Sequence, residues 1–416
     1  LQQASAMAQE MGYALYVVGG FVRDLLLRER NLDLDLVVEG DAIRLARRLA
    51  RRVGARTRSH GRFGTAKIVL EGREAEFGIP SLDFATARLE FYAHSAALPE
   101  VEQSSIKADL HRRDFTINTL AIRLDSDYYG KLLDFYGGEQ DLHDRVVRVL
   151  HSLSFIEDPT RIMRAVRFEQ RLGFRIEPRT AELIENALPM LGRVTGERVR
   201  HELLLILAEG EPERALRRLD ELGVLAQIHP RLASDEQTAR LFAGLRKEVA
   251  AGRWQVPAGE DGLPAPALYL ALLACPMPRE DVEALAAHLK LLRQDLTLLR
   301  QVVDLQELRP RLEEPELRNR EIDALLRFSS SPARLVAWLC TTSETVRQRL
   351  RLYETRLRHV EPTVDGDYLK SLGLKPSPLF RRLLDAVRDA RLDGEIETVE
   401  EEKALITHLL AQREEN

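Results

Sequence analysis

Two aspartates, Asp33 and Asp35, stand two residues apart in Leu32-Asp33-Leu34-Asp35-Leu36. On a β-strand, positions i and i+2 share a face. The spacing therefore predicts both carboxylates on one side while Leu32, Leu34 and Leu36 bury on the other. Two carboxylates a few ångströms apart repel unless a cation neutralises them. Mg²⁺ favours one or two carboxylates completed by substrate phosphates. An exposed strand with polar residues on its wet face accounts for the same pattern, and the spacing alone does not choose.

Further polar groups flank this pair. Gly19-Gly20-Phe21-Val22-Arg23-Asp24 falls at a predicted strand-to-helix turn. Glycines there let backbone N–H groups approach a phosphate, and Arg23 offers a charge-assisted contact. Neither G-x-x-x-x-G-K-[ST] nor G-x-G-x-x-G is present, so the turn is not a P-loop or a dinucleotide fingerprint. Arg112, Arg113 and Asp114 form a charged cluster ahead of an apolar run, where Asp114 has arginines to pair with. Asp158-Pro159 reads as N-cap and first position of a helix. Arg161, three residues on, shares a helix face with Asp158. Arg161, Arg164, Arg167, Arg171 and Arg175 continue at spacings of 3, 3, 4 and 4, opposite Ile162 and Val166. A solvated helix with Glu–Arg pairs explains the stripe as well as an anion-binding face does.

These groups need a scaffold. Ala14–Val18 reads as a strand, 21–27 as a helix, 32–38 as a strand and 41–53 as an amphipathic helix; 65–70 and 120–124 are further strands. Beyond about residue 150 the pattern is helical almost to the end, with breaks at 252–266 and at Ser329-Ser330-Ser331-Pro332. The 416-residue length suits two to four domains, and 44% hydrophobic residues support real cores. Net charge is −5, so no basic whole-protein field points to nucleic acid. The average hides structure: residues 161–201 carry nine Arg against five Glu, whereas 364–416 carry eight basic against twelve acidic residues. Only eight of the 61 basic residues are lysines. Arginine's planar fork suits phosphates and bases, although codon usage explains the bias equally well. Two cysteines, Cys275 and Cys340, without a CxxC pair, imply neither a zinc site nor a disulfide framework and suit a reducing, cytoplasmic setting. No apolar run of membrane-spanning length and no signal peptide is present. The chain begins with Leu1 and not Met, which predicts a longer protein with upstream domains.

At this point the motifs form a recognisable series. Val18-Gly19-Gly20-Phe21-Val22-Arg23-Asp24-Leu25-Leu26 followed by Asp33-Leu34-Asp35 resembles the signature of the class II tRNA nucleotidyltransferases and bacterial poly(A) polymerases, in the polymerase β-like superfamily. Arg112-Arg113-Asp114-Phe115-Thr116-Ile117-Asn118 resembles that family's second motif, and Asp134-Phe135-Tyr136-Gly137-Gly138-Glu139-Gln140-Asp141-Leu142 its third. Glu157-Asp158-Pro159-Thr160-Arg161 with Arg164-Ala165-Val166-Arg167-Phe168 resembles the fourth, and Thr195-Gly196-Glu197-Arg198 with Glu202 the fifth.

The resemblance implies an α+β protein: a nucleotidyltransferase head with a small mixed sheet (1–148), then a helical neck carrying the nucleotide-selecting motif (149–230), a helical body (231–335) and an RNA-binding helical tail (336–416). It implies that Asp33 and Asp35 hold two Mg²⁺ ions as the catalytic pair, in an in-line displacement. Asp83 is a possible auxiliary, although a solvated strand residue accounts for it as well; Arg112 is another. Gly19, Gly20, Arg23, Arg113, Arg164 and Arg167 would bind nucleotide, Asp114 and Asn118 would face the ribose, and Asp158 with Arg161 would read the base edge. The segment 91–110 is expected to be a mobile loop of the kind that helps A addition. The implied activity is addition of CMP and AMP to tRNA 3′ ends from CTP and ATP, releasing pyrophosphate. An A-only enzyme acting on CC-ending tRNA, a poly(A) polymerase, and an inactive RNA-binding module are the alternatives.

Overall fold

The computed structural model describes all residues except 71, 73, 92–99, 126–127, 258, 260–261, 263 and 415–416. The chain forms two compact units: Leu1–Ile206 with Arg214–Pro230, and Leu207–Glu213 with Arg231–Asn416.

The first unit opens with α1 (Gln2–Glu10), β1 (Ala14–Val18), α2 (Gly20–Leu26), β2 (Asp35–Glu39), α3 (Ala42–Val53), β3 (Arg56–His60), β4 (Thr65–Val69), α4 (Glu74–Phe77) and β5 (Ser81–Thr86). It continues through β6 (Arg88–Phe91), β7 (Glu100–Gln103), α5 (Ile106–His111), β8 (Ala121–Arg123), β9 (Leu132–Leu133), α6 (Gly138–His143) and β10 (Val146–Val147). Seven strands make one mixed sheet in the order β3-β4-β5-β2-β1-β8-β9. Its β2–β5 pair is parallel, with Asp35 opposite Asp83 and Leu36 opposite Phe84; the other pairs are antiparallel. β-branched and aromatic residues suit these strands, and Tyr16, Val18, Val37 and Ala121 bury with Ile106 and Leu110 of α5. Helix α3 starts where the Asp41 carboxylate accepts from the Arg44 N–H, and it buries Leu45, Ala46, Leu49 and Ala50.

Next along the chain come α7 (Ser154–Glu157), α8 (Arg161–Leu172), β11 (Arg175–Ile176), α9 (Pro178–Ala187), α10 (Gly196–Leu207), α11 (Pro212–Glu221) and α12 (Val224–Ile228). The second unit is helical: α13 (Glu236–Ala250), α14 (Pro266–Ala274), α15 (Arg279–Leu289), α16 (Arg293–Glu307), α17 (Arg309–Leu312), α18 (Asn319–Leu326), α19 (Ser331–Cys340), α20 (Glu344–Thr355), α21 (Gly366–Ser371), α22 (Pro378–Asp393) and α23 (Val399–Glu414). Val364, Leu369, Leu383, Val387 and Ile406 form an apolar core near its C-terminal end. Among the described residues no helix is long and apolar enough to cross a membrane.

The structure corrects four expectations. The strand expected at 32–38 is Asp35–Glu39, so Asp33 precedes the ladder and Leu32 is exposed. The helical region after 150 contains β11, which pairs in parallel with β10; this takes Arg175 off the helical stripe, which ends when Gly173 enters the left-handed region. In the segment expected to be a loop, β7 pairs with β6 and α5 begins at a Ser105 cap; residues 92–99 lie outside those described. Asp158 is not the helix cap: α8 starts at Arg161, with Thr160 in the cap position.

Candidate active site

Asp33, Asp35 and Asp83 each place one carboxylate oxygen within 4.8 Å of the others. The parallel register brings Asp83 to Asp35, so the residue that sequence left with two accounts stands beside the pair. Lys67 of β4 contacts Asp83 at 2.8 Å, and that hydrogen bond holds its ammonium above the usual range. Removal from water pushes the Asp35 carboxyl up, and the neighbouring Asp33 and Asp83 charges push it further, opposed by Arg113 and Lys67. Among the described residues no ion pair engages Asp33 or Asp35. Three oxygen donors with excess negative charge form a set suited to a hard divalent cation.

The cluster opens onto a cavity of about 550 Å³ whose walls carry Arg23, Arg112, Arg113, Arg161, Arg164, Arg167 and Arg171, with Gly20, Asn31, Asp114, Asn118, Asp158 and Phe168. Gly19 lies just behind this lining with φ of 71°, and a Cβ there would fall 2.6 Å from Arg113 Nη1. The turn thus favours glycine on conformational grounds.

Several wall groups already hold one another. Arg23 is buried: its Nε donates to Asp24 Oδ1 at 2.7 Å and its Nη1 to Asn118 Oδ1 at 2.8 Å. Asn118 Nδ2 donates to Asp114 Oδ1 at 2.9 Å, and Arg164 donates to Asp114 Oδ2 through Nε and Nη2 at 2.9 and 2.6 Å. Burial alone would raise the Asp114 carboxyl, but Arg164, Asn118 and Arg161 hold it down at about 2. Glu202, from the fifth motif, stands 3.5 Å from Arg164 Nη1. Arg23, Arg164 and Arg167 all lie over the Phe168 ring, at 5.1, 5.7 and 5.3 Å from its centroid. An aromatic face lets guanidinium groups gather without further carboxylates.

Asp158 and Arg161 both reach the cavity. Asp158 Oδ1 accepts from Thr160 N–H and its hydroxyl, and Oδ2 pairs with Arg198 of the fifth motif at 2.7 Å. Arg161 Nη2 donates to the Arg112 carbonyl at 2.8 Å, whereas its buried Nη1 has no acceptor among the described residues. A buried donor without a partner is costly, and a ligand acceptor in the cavity would satisfy it.

Sequence reasoning missed three residues that matter here. Asp109 is fully buried and pairs with Arg112 and Arg113 at 2.9 and 3.4 Å; its i+3 and i+4 spacing to them on α5 was the available signal. Asn31 bridges Asp24 to the Asp33 backbone, the latter in the Asx-turn pattern, and Phe168, quoted within the fourth motif without a role, collects the arginines. The third motif is structural support. Asp134 accepts the Gly138 and Glu139 N–H groups at the start of α6, and Asp141 accepts the Thr116 hydroxyl at 2.6 Å. A Cβ on Gly138 would meet the Thr116 carbonyl oxygen at 2.4 Å.

A mixed sheet presenting clustered carboxylates to an arginine-walled cavity defines a nucleotidyltransferase-type head. Residues 15–148 match the family described as "Poly A polymerase head domain", and 173–236 match the "Probable RNA and SrmB- binding site of polymerase A". The chain is 40% identical over 420 residues, 98% of its length, to an A-adding tRNA nucleotidyltransferase of Geobacter sulfurreducens, of which it spans 46%. It is 32% identical to the A-adding tRNA nucleotidyltransferase of Halalkalibacterium halodurans, covering 95% of this chain and 89% of that protein. The solved complex of a CCA-adding enzyme with ATP superposes with a TM-score of 0.76 at 32% identity, covering 99% of this chain and 94% of that one. The chain belongs to the family of tRNA nucleotidyltransferases and poly(A) polymerases.

Proposed function

We propose that the chain is the catalytic part of a tRNA 3′-terminal nucleotidyltransferase that adds CMP and AMP, or AMP alone, and releases pyrophosphate. The observation that carries this is the three-carboxylate cluster facing a guanidinium-walled cavity in which Arg161 keeps one donor unspent. The donor set fits Mg²⁺: oxygen ligands only, close together, with surplus negative charge. Two Mg²⁺ ions held by Asp33 and Asp35, with Asp83 beside them, would supply positive charge to the attacking 3′-hydroxyl and the leaving pyrophosphate. The protein's own share is positioning. Gly19, Gly20, Arg23, Arg113 and Arg167 shape and charge the phosphate side, and Arg112 anchors the wall through Asp109. Asp114, held ionised by Arg164, and Asn118 face the ribose. Arg161 Nη1 donates to the base edge while Asp158, fixed by Arg198 and Thr160, offers its acceptor edge. Reading a base with protein groups needs such fixed donors and acceptors. We assign residues 1–148 to the catalytic head, 149–230 to the neck, 231–335 to the body and 336–416 to the RNA-binding tail, with tRNA, ATP and CTP as partners in the cytoplasm.

The names of the Geobacter and Halalkalibacterium relatives favour A-only addition as the second reading. Incubation with tRNAs ending before C, ending in CC, or with unstructured RNA, each with CTP or ATP, separates the readings. CMP incorporation excludes A-only addition, and efficient tailing of unstructured RNA indicates a poly(A) polymerase. No incorporation from any substrate leaves an RNA-binding module.

A further inference from the structure

We propose that Asn31 is a positioning residue that sets the Asp33 carboxylate for divalent-cation binding; this rests on the nucleotidyl-transfer reading. Asp33 precedes β2, so the sheet ladder does not hold its backbone. The connection from α2 to β2 passes through Arg28 at a φ of 61°, a left-handed conformation for a side chain that rarely adopts it. Two contacts draw this connection back to α2. Glu29 N–H donates to the Asp24 carbonyl at 2.8 Å, and Asn31 Nδ2 donates to Asp24 Oδ2 at 2.7 Å. The other end of the same amide holds the aspartate, since Asn31 Oδ1 accepts the Asp33 N–H at 2.8 Å.

Both heteroatoms of Asn31 are therefore used, one toward the protein and one toward Asp33. Asparagine suits this because its side chain holds a donor and an acceptor on one rigid plane. Aspartate would place a carboxylate against Asp24, and alanine would release both contacts. Asp24 is itself buried and held by Arg23 at 2.7 Å, and Arg23 leads through Asn118 and Asp114 to Arg164. One continuous run of hydrogen bonds thus ties the arginine wall to the backbone of an acidic residue that has no ion pair among the described residues. Partners that orient a ligating side chain typically change metal affinity ten- to a hundredfold when removed.

The test reads Mn²⁺ binding to the nucleotide-free protein by electron paramagnetic resonance, alongside thermal melting. Asn31→Ala should weaken Mn²⁺ binding about tenfold or more, with a melting temperature no lower than that of Asn31→Ser, because both variants lose the contact to buried Asp24. Asn31→Ser keeps a short acceptor able to take the N–H two residues on and should recover affinity to within about threefold of wild type. Wild-type Mn²⁺ affinity in Asn31→Ala overturns the proposal. So does a Ser variant as weak as the Ala variant, or an Ala variant whose melting temperature falls well below that of the Ser variant. The cation site is tested separately: if Asp33→Ala with Asp35→Ala binds Mn²⁺ like wild type, the site assignment itself fails, whatever Asn31 does.

Discussion

Two groups of carboxylates face the same cavity and live in opposite circumstances. Asp114 and Asp158 are neutralised, the first by a two-pronged Arg164 with Asn118, the second by Arg198 with Thr160. Asp33 and Asp35 have no ion pair among the described residues, and one cation, Lys67, serves their neighbour Asp83. A carboxylate that folding has already neutralised can orient and select, but it has little charge left to give a cation. Under the proposed function, the open group is the part of the site that receives charge arriving with the reaction, and the neutralised group is the part that fixes geometry.

The contrast breaks most severely at the open end. Asp33→Ala or Asp35→Ala should lower nucleotide incorporation at least about a thousandfold, because metal charge stabilisation is worth several kcal/mol. A filter-binding assay should show tRNA affinity unchanged, and folding should persist because no partner is orphaned.

Arg164→Ala should reverse that pattern. It strands the buried Asp114 charge and should cost about 3 kcal/mol of stability, read in denaturant melts. The same pair predicts an acid limb. With the Asp114 carboxyl at about 2 in the folded protein and near 3.8 when unfolded, its contribution is complete above about pH 4. It is lost as pH falls towards 2, and Asp114→Asn should flatten that part of the stability profile. Arg161→Ala sits between the extremes: it should lower the preference for ATP over GTP by roughly tenfold or more in single-nucleotide incorporation, with the fold intact. The smallest effect belongs to Lys67→Met, which removes a competing charge from Asp83. It should tighten divalent-cation binding by about threefold, in keeping with the modest worth of an exposed ion pair. Weakening instead would mean that Lys67 organises the cluster.

The parts legible in the sequence were those with local signatures. Runs of strand-forming residues marked β1, β4 and β8, an amphipathic pattern marked α3, and the i, i+2 spacing put Asp33 and Asp35 together. The motif series joined Arg112–Asn118, Asp158–Arg161 and Glu202 before any contact between them was visible. What stayed hidden depended on pairing across the chain. Asp83 joins the cluster only through a parallel neighbour 48 residues away in sequence. Asp158 looked like a helix cap because Asp-Pro favours one, yet its second oxygen is taken by Arg198, and the helix starts after Thr160. Arg175 fitted a helical period until Gly173 ended the helix. Asn31 offered only a generic Asx-turn signal toward the Asp33 N–H, since the other half of its role joins the loop to a buried carboxylate seven residues back.

The parallel register between β2 and β5 carries a further consequence. Because side chains alternate along a strand, a one-residue slip would turn Asp83 to the opposite face and bring Leu82 or Phe84, now buried, into the acidic cluster. Insertions and deletions are therefore tolerated unequally along this stretch. The connection between β4 and β5, which carries α4, can change length without shifting this register, but a single residue added within Ser81–Asp83 would dismantle the cluster. In this head, alignment between two strands is as much a part of the reaction chemistry as the side chains they carry.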